Sequence, residues 1–149
     1  IRISSLAINE KEHQHVASLL QIVSDIERIS DYCENISEYA ENLANQKKKF
    51  SGVGAAEMKE MLEVCSDSFT YAVEAFEENS AEKALKVIEK ERSADDLEIR
   101  LRADHMQRLA NKQCDTEAGI VFLDALVGLE RISDHSRNIA EEVLSASNK

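Results

Sequence analysis

Two acidic five-residue motifs, one in each half of the chain, carry the residues best suited to chemistry. Glu27-Arg28-Ile29-Ser30-Asp31 recurs as Glu130-Arg131-Ile132-Ser133-Asp134, and the match continues in phase at Asn35-Ile36 and Asn138-Ile139. In each copy the Glu and the Asp stand four residues apart, so on a helix their carboxylates share one face. Two like charges at this spacing destabilise an isolated helix by about 0.2–0.5 kcal/mol, which predicts a compensating partner.

A third acidic pair, Glu91 and Asp95, has the same spacing and lies between the aliphatic residues Ile88 and Ile99. Such placement predicts partial burial, and buried carboxylates need cations to remain ionised. Clustered carboxylate oxygens suit Mg, Mn, Fe or Zn. The pattern therefore predicts a carboxylate-bound metal site between helices, with these candidate ligands: Glu91, Asp95, Glu130, Asp134, Glu27 and Asp31.

An alternative interpretation of the acidic pairs needs no metal. A chain with 29 acidic and 18 basic residues places many Glu and Asp four apart by chance, usually on a solvated face. Arg28 and Arg131 are then surface partners of the acidic residues beside them. Metal content separates the two interpretations.

The remaining reactive residues predict no second site. The four histidines do not recur at matching positions in two helices and are expected to be exposed: His13, His15, His105 and His135. Glu10 and His13 form one Glu-x-x-His motif, whereas a ferritin-like di-iron oxidase needs two. Cys33 and Cys65 lie on apolar seams, which predicts core positions. The sequence contains no glycine-rich phosphate loop, and an enzyme is not predicted.

Composition limits the class of protein. The 149 residues are 43% hydrophobic and 32% charged, with no Pro, four Gly and 5% aromatic residues, which predicts one all-helical domain. A net charge of −11 disfavours nucleic acid and anionic lipid as partners. The three cysteines form no Cys-x-x-Cys motif, which indicates a reducing, cytoplasmic setting. Because the chain does not begin with Met, we expect Ile1 to lie within a longer protein.

Apolar periodicity predicts four long helices in an antiparallel up-and-down bundle. They run from about residue 10 to 46, from 55 to 78, from 79 to 112 with a capping box at Asn79 and Glu82, and from an Asp115 or Thr116 cap to 145. The predicted core seams are Val16, Leu19, Val23, Ile26, Cys33 and Ala40 in the first helix; Met58, Leu62, Cys65, Phe69, Ala72 and Phe76 in the second; Ala84, Ile88, Ile99, Met106 and Leu109 in the third; and Gly119, Phe122, Leu126, Leu129, Ile132, Ile139 and Val143 in the fourth.

Two segments, 26–36 and 129–141, resemble the signature of PhoU proteins, Leu-Glu-Arg-Ile-Gly/Ala-Asp-x-x-x-Asn-Ile. Ser30 and Ser133 stand where the signature has Gly or Ala. The segment from Cys114 to Asp124 is similar to the version found in the cytoplasmic C-terminal PhoU-like domain of bacterial sodium/phosphate cotransporter family proteins. The resemblance covers nearly the whole chain.

The resemblance implies an organisation and a metal site. PhoU proteins consist of two tandem three-helix units with acidic pairs on the second and third helices of each. Residues 1–50 would be the last helix of a truncated first unit and 51–149 a complete second unit, together forming one compact domain. The acidic pairs resemble ligands of multinuclear iron or zinc, with manganese or magnesium as alternatives.

The resemblance also implies a function and partners. PhoU-type domains are negative regulators of phosphate uptake and signalling, which here implies a non-enzymatic domain on the cytoplasmic side of a membrane-embedded, sodium-dependent phosphate transporter in the same polypeptide. No nucleic acid and no direct small-molecule substrate are expected. The alternatives are a metal-free helical adaptor and a carboxylate-bridged metalloenzyme. We also expect self-association through an uncovered flank formed by Ile22, Ile29, Ile36 and Leu43, which could complete a metal site at Glu27 and Asp31 in trans.

Overall fold

The computed structural model describes residues 9–147 and contains four helices. They are α1 (Glu10–Asn45), α2 (Gly52–Glu78), α3 (Ala81–Ala110) and α4 (Thr116–Ser147). No strand occurs within residues 9–147, so the predicted all-α class is confirmed. Within the same range, no helix is both long and apolar enough to cross a membrane.

Short polar residues begin the helices by satisfying their free amides. The Asn9 side chain accepts from Glu12 N, which completes a capping box at the start of α1. Asp115 accepts from Ala118 N at 2.9 Å before α4, as predicted. The prediction for the third helix was wrong by one residue. Ser80 caps α3, while Asn79 ends α2 in the left-handed conformation (φ 49°, ψ 45°), which Asn tolerates better than most residues.

Helix α4 is the centre of the bundle. It packs against α1, α2 and α3, and α2 also packs against α3. All seven residues of the seam predicted for α4 are buried, and Phe122 and Leu126 have no exposed surface. Because three helices cover α4, its apolar residues extend over most of its circumference, and the periodicity located them correctly.

The predicted seam of α1 is wrong. Val23 and Ile26 are 53% and 45% exposed and Cys33 is also exposed, whereas Ile22 and Ile29 are 5% and 4% exposed against the rest of the bundle. Helix α1 has two apolar faces, and periodicity alone does not tell which one meets α4. The flank that we expected to be uncovered, Ile22, Ile29, Ile36 and Leu43, is therefore the face that packs.

The predicted seams of α2 and α3 match the observed core only in part, since Cys65, Ala72 and Ala84 are buried as predicted but other seam residues are exposed. Met61 and Ala75 are fully buried in α2, where the neighbouring Leu62 and Phe76 are 52% and 43% exposed. In α3 the buried residues are Ala84, Val87, Glu91, Ala94, Leu97, Leu101 and His105, while Ile99 and Met106 are 65% and 52% exposed. Both helices also carry large apolar residues outside the core face, so periodicity alone does not locate that face.

His105 lies in the core, although the sequence predicted exposure. Its Nε2 lies 3.0 Å from the Gly119 carbonyl oxygen, to which it can donate, and its ring stacks on Phe122 with centroids 4.3 Å apart. Burial lowers the pKa of His105. A Cβ at position 119 would lie 2.7 Å from Leu109 Cδ2 and 3.1 Å from His105 Nε2, so a larger residue would require these side chains to shift where α3 meets α4. His13 and His15 are exposed, as predicted.

We expect the chain to self-associate through the exposed apolar stripe of α1, formed by Leu20, Val23 and Ile26. Val23→Glu places a charge in the middle of this stripe and is expected to raise the dissociation constant at least tenfold in sedimentation velocity. Leu85→Glu, at a position 57% exposed on α3, is the matched control and leaves association unchanged. A wild-type chain that stays monomeric at tens of micromolar contradicts this prediction.

Candidate metal centre

Three carboxylates from two helices meet at one place between α3 and α4. Glu91 and Asp95 of α3 and Asp134 of α4 each offer an oxygen, and these oxygens all lie within 4.8 Å of one another. Opposite ligands of a bound cation are separated by about 4–5 Å, twice a metal–oxygen distance of 2.0–2.6 Å. The three oxygens therefore already have the spacing of a coordination shell.

The fourth predicted ligand, Glu130, lies one turn before Asp134 on α4 and does not belong to the group of three. Burial, followed by the negative charge of Asp134, raises the pKa of Glu130 to about 7. Burial and the charges of Glu91 and Asp134 also raise the pKa of Asp95. Both shifts mean that ionising these carboxylates costs free energy, because they are buried and lie close to other negative charges.

Arg137 supplies the main positive charge at the cluster. Its Nη1 donates to both oxygens of Glu91, at 3.1 and 3.2 Å, and its Nε donates to Glu141 at 2.9 Å. Glu91 is only 3% exposed, so this contact compensates a buried carboxylate. On the outer side, Arg131 lies 3.4 Å from Asp134 and 3.6 Å from Glu130.

The charges of the cluster do not balance. Glu91, Asp95, Glu130 and Asp134 face only Arg131 and Arg137, and Arg137 also pairs with Glu141, so carboxylates outnumber guanidinium groups when all of them are ionised. A divalent cation between Asp95 and Asp134 would reduce this excess of negative charge. Of the three clustered carboxylates, Glu91 is already engaged by Arg137, so we expect it to be the weakest ligand.

The two remaining predicted ligands lie elsewhere. Glu27 and Asp31 are both exposed on α1, and neither belongs to the group of Glu91, Asp95 and Asp134. Within residues 9–147, α1 makes its extensive packing contacts with α4 only. The pair of Glu27 and Asp31 therefore has no facing acidic pair in the described part of the chain.

A buried polar joint beside the cluster was missed by sequence reasoning. Asp25 of α1, 2% exposed, accepts from His135 Nδ1 at 2.8 Å, from Asn138 Nδ2 at 3.0 Å and from Gln21 Nε2 at 3.2 Å. His135 was predicted to be exposed, but it is half-buried in this joint. The spacing indicates this burial, because Asp25 lies three residues after Ile22 and four before Ile29 and therefore shares their helix face.

Arg137 was also missed, although its position carried a signal. It follows Asp134 by three residues and therefore projects from the same face of α4. In the repeat, the equivalent residue of α1 is Glu34, so the two copies differ in charge at this place. The basic residue thus occurs in the α4 copy of the motif, which is the copy that faces the acidic pair of α3.

The raised pKa of Glu130 predicts a pH dependence. The folded chain holds a proton on Glu130 up to about pH 7, while the unfolded chain loses it near the ordinary value of 4.5. Stability from this group is therefore present below pH 4.5 and is lost as the pH rises to 7. We expect Glu130→Gln to remove this loss. In chelator, the melting temperature of the variant minus that of wild type should therefore increase from pH 5 to pH 8.

Other groups titrate in the same range, so the comparison between the two proteins is the measurement. The lowered pKa of His105 works in the opposite direction, because neutral His105 is favoured in the fold and stability rises with pH through its range. That contribution is common to wild type and variant and cancels in the difference. A difference in midpoint that does not change with pH would contradict the assignment of the titration to Glu130.

Three comparisons relate the chain to known proteins. The sequence profile of the PhoU domain matches residues 1–40 and 58–143. The chain is 29% identical over 138 residues to the phosphate-specific transport system accessory protein PhoU homolog 1 of Thermotoga maritima, covering 90% of this chain and 57% of that protein. The chain thus spans little more than half the length of this relative.

The fold is similar to that of a protein of known structure. The crystal structure of PhoU from Pseudomonas aeruginosa superposes with a TM-score of 0.89 at 23% identity, covering 98% of this chain and 69% of that chain. At this identity the likeness concerns the fold.

Proposed function

Since the chain belongs to the PhoU family, we propose that it is a regulatory domain that modulates phosphate transport or phosphate signalling and binds a divalent cation at Glu91, Asp95 and Asp134. The observation that carries the metal part is the cluster of three carboxylates whose oxygens lie within 4.8 Å of one another. Glu130 is a fourth ligand once it loses its proton. Iron, zinc, manganese and magnesium are the candidate cations.

Asp134, which would hold the cation together with Glu91 and Asp95, lies next to the joint between α1 and α4. Its sequence neighbour His135 and, four residues on, Asn138 both donate to buried Asp25 of α1. A cation held at Asp134 would therefore be coupled to how α1 lies against the other helices, which is a difference that a transporter could detect.

We propose a sodium-dependent phosphate transporter in the same polypeptide as the partner, with this domain on its cytoplasmic face. The support is the segment from Cys114 to Asp124 and the acidic motif that follows it. An antibody against the domain should detect a native polypeptide much larger than 16.7 kDa in the membrane fraction. A native product confined to the soluble fraction would contradict the fusion.

Two other functions remain as alternatives. The metal-free adaptor is favoured by the contact of Arg137 with Glu91, which compensates one carboxylate without any cation. A carboxylate-bridged metalloenzyme is favoured by no specific contact of the described residues. We therefore propose a regulator and not an enzyme.

Phosphate uptake in cells tests the regulatory function. Asp95→Asn combined with Asp134→Asn removes the two proposed ligands that Arg137 does not contact and is expected to relieve repression of uptake. Asp96→Asn, at an exposed neighbouring position, is the matched control and keeps repression. Unchanged uptake in the double variant, at wild-type protein levels, would contradict a regulatory role for the cluster.

A further inference from the structure

The bundle has an apolar groove that the metal centre does not use. Helices α1 and α2 both pack on α4 but make no extensive contact with each other, and the gap between them has a volume of about 420 Å³. The groove is lined by aliphatic and aromatic side chains of all three helices, among them Ile36, Leu43, Met58, Leu62, Val121 and Leu129. None of the carboxylates of the metal centre lines it.

Basic residues border the end of this groove. Lys48 and Lys49 belong to its lining, and they form part of a run of three lysines, Lys47 to Lys49, in a chain of net charge −11. Lys48 is paired with Asp115 and Glu117. Within residues 9–147, Lys49 forms no ion pair, so its ammonium group is available to an incoming carboxylate.

The shape of the groove fits a row of side chains from a helix. Its lining spans residues 36–44 of α1, 55–62 of α2 and 121–129 of α4, which is about two helical turns or about 12 Å. A helix laid along such a groove inserts side chains at positions i, i+4 and i+7. Half-exposed Leu62 and exposed Ala40 on opposite walls would be covered by these side chains.

We propose that this groove is the docking site for an amphipathic helix of a partner protein, whose apolar row is bordered by carboxylates. The apolar row occupies the space between α1 and α2, and a carboxylate beside it pairs with Lys49. The inference rests on the proposed regulatory function, since a regulator must contact another protein, and it identifies the surface and the charge of that contact. It does not depend on the metal centre.

Two model helices test the docking site. Both are 18-residue, N-acetylated, alanine-rich peptides with Leu at three positions spaced i, i+4 and i+7; one carries Glu and the other Lys at the flanking positions. By fluorescence anisotropy we expect saturable binding of the Glu peptide and at least about tenfold weaker binding of the Lys peptide, because complementary charge selects the partner.

Variants of the chain locate the binding. Leu62→Asp is expected to weaken binding of the Glu peptide about tenfold or more, since it charges an apolar wall. Leu85→Asp, at a similarly exposed position of α3, is the control and leaves binding unchanged. Lys49→Glu is expected to weaken binding severalfold, and Lys11→Glu at the far end of α1 to have no such effect. Circular dichroism establishes that each variant is folded.

Several results would overturn the proposal. The first is that the Glu peptide shows no saturable binding up to about 1 mM, which corresponds to a very weak affinity. The second is that the two peptides bind equally well. The third is that Leu62→Asp does not weaken binding. Binding of dodecanoate with no binding of the Glu peptide would also overturn it, by identifying a site for small amphiphiles. Asp95→Asn combined with Asp134→Asn is expected to leave peptide binding intact, which separates failure at the groove from failure of the metal centre.

Discussion

Replacing Asp25 with Ala is expected to lower the free energy of unfolding by about 3 kcal/mol. The carboxylate is 2% exposed and accepts three hydrogen bonds, two of them from His135 and Asn138 of α4. Its removal leaves those donors without an acceptor inside the contact that holds α1 on α4. Urea denaturation followed by circular dichroism measures the loss.

Two control variants separate this joint from a general effect on α1. Asp25→Asn keeps one acceptor oxygen and is expected to lose less than Asp25→Ala. Ser24→Ala changes the adjacent exposed residue and is expected to stay within about 0.5 kcal/mol of wild type. If Asp25→Ala also falls within that range, the joint does not stabilise the packing of α1.

Replacing Arg137 with Met is expected to make stability strongly dependent on metal. Without metal, the buried carboxylate of Glu91 loses its counterion, which is expected to cost about 2 kcal/mol. With metal at a hundredfold over its dissociation constant, binding adds about 2.7 kcal/mol to the folded state. The metal-induced rise in thermal midpoint is therefore expected to exceed that of wild type at equal metal concentration, because Glu91 becomes a free ligand.

Arg137→Lys is the matched control for this prediction. It keeps the positive charge while losing the paired donation to Glu91, and its response to metal is expected to lie between those of wild type and Arg137→Met. Melting curves in chelator and in Mn²⁺, Fe²⁺ or Zn²⁺ give all three values. An Arg137→Met variant as stable as wild type in chelator would show that Arg137 does not compensate Glu91.

The helical class and the core face of α4 could be predicted from the sequence, whereas the seams predicted for the other helices were right only in part. Helix α4 is covered on most sides, so any apolar seam along it points into the core. Helix α1 packs on α4 alone and carries a second apolar stripe, with Val23 and Ile26 exposed. Periodicity finds both faces, and only the tertiary arrangement selects between them.

The acidic pairs lie on single helix faces as the spacing predicts, and Arg131 pairs with Glu130 and Asp134 as the metal-free interpretation expected, but the contact of Arg137 was not predicted. Spacing places Glu91 with Asp95, and Glu130 with Asp134, on single helix faces. It does not show that Arg137 reaches Glu91 across the interface, because that contact joins residues 46 positions apart. For the same reason the pattern could not distinguish Glu27 and Asp31, which are exposed, from the equivalent pair on α4.

Metal content of the purified chain tests the central claim most directly. The chain is dialysed against Mn²⁺, Fe²⁺ or Zn²⁺, freed of unbound ions, and analysed by inductively coupled plasma mass spectrometry beside Asp95→Asn/Asp134→Asn and Glu27→Gln/Asp31→Asn. We predict that wild type and the Glu27/Asp31 variant retain stoichiometric metal and that the Asp95/Asp134 variant loses it. Equal metal in all three proteins, or none in wild type, would contradict a metal centre at Glu91, Asp95 and Asp134.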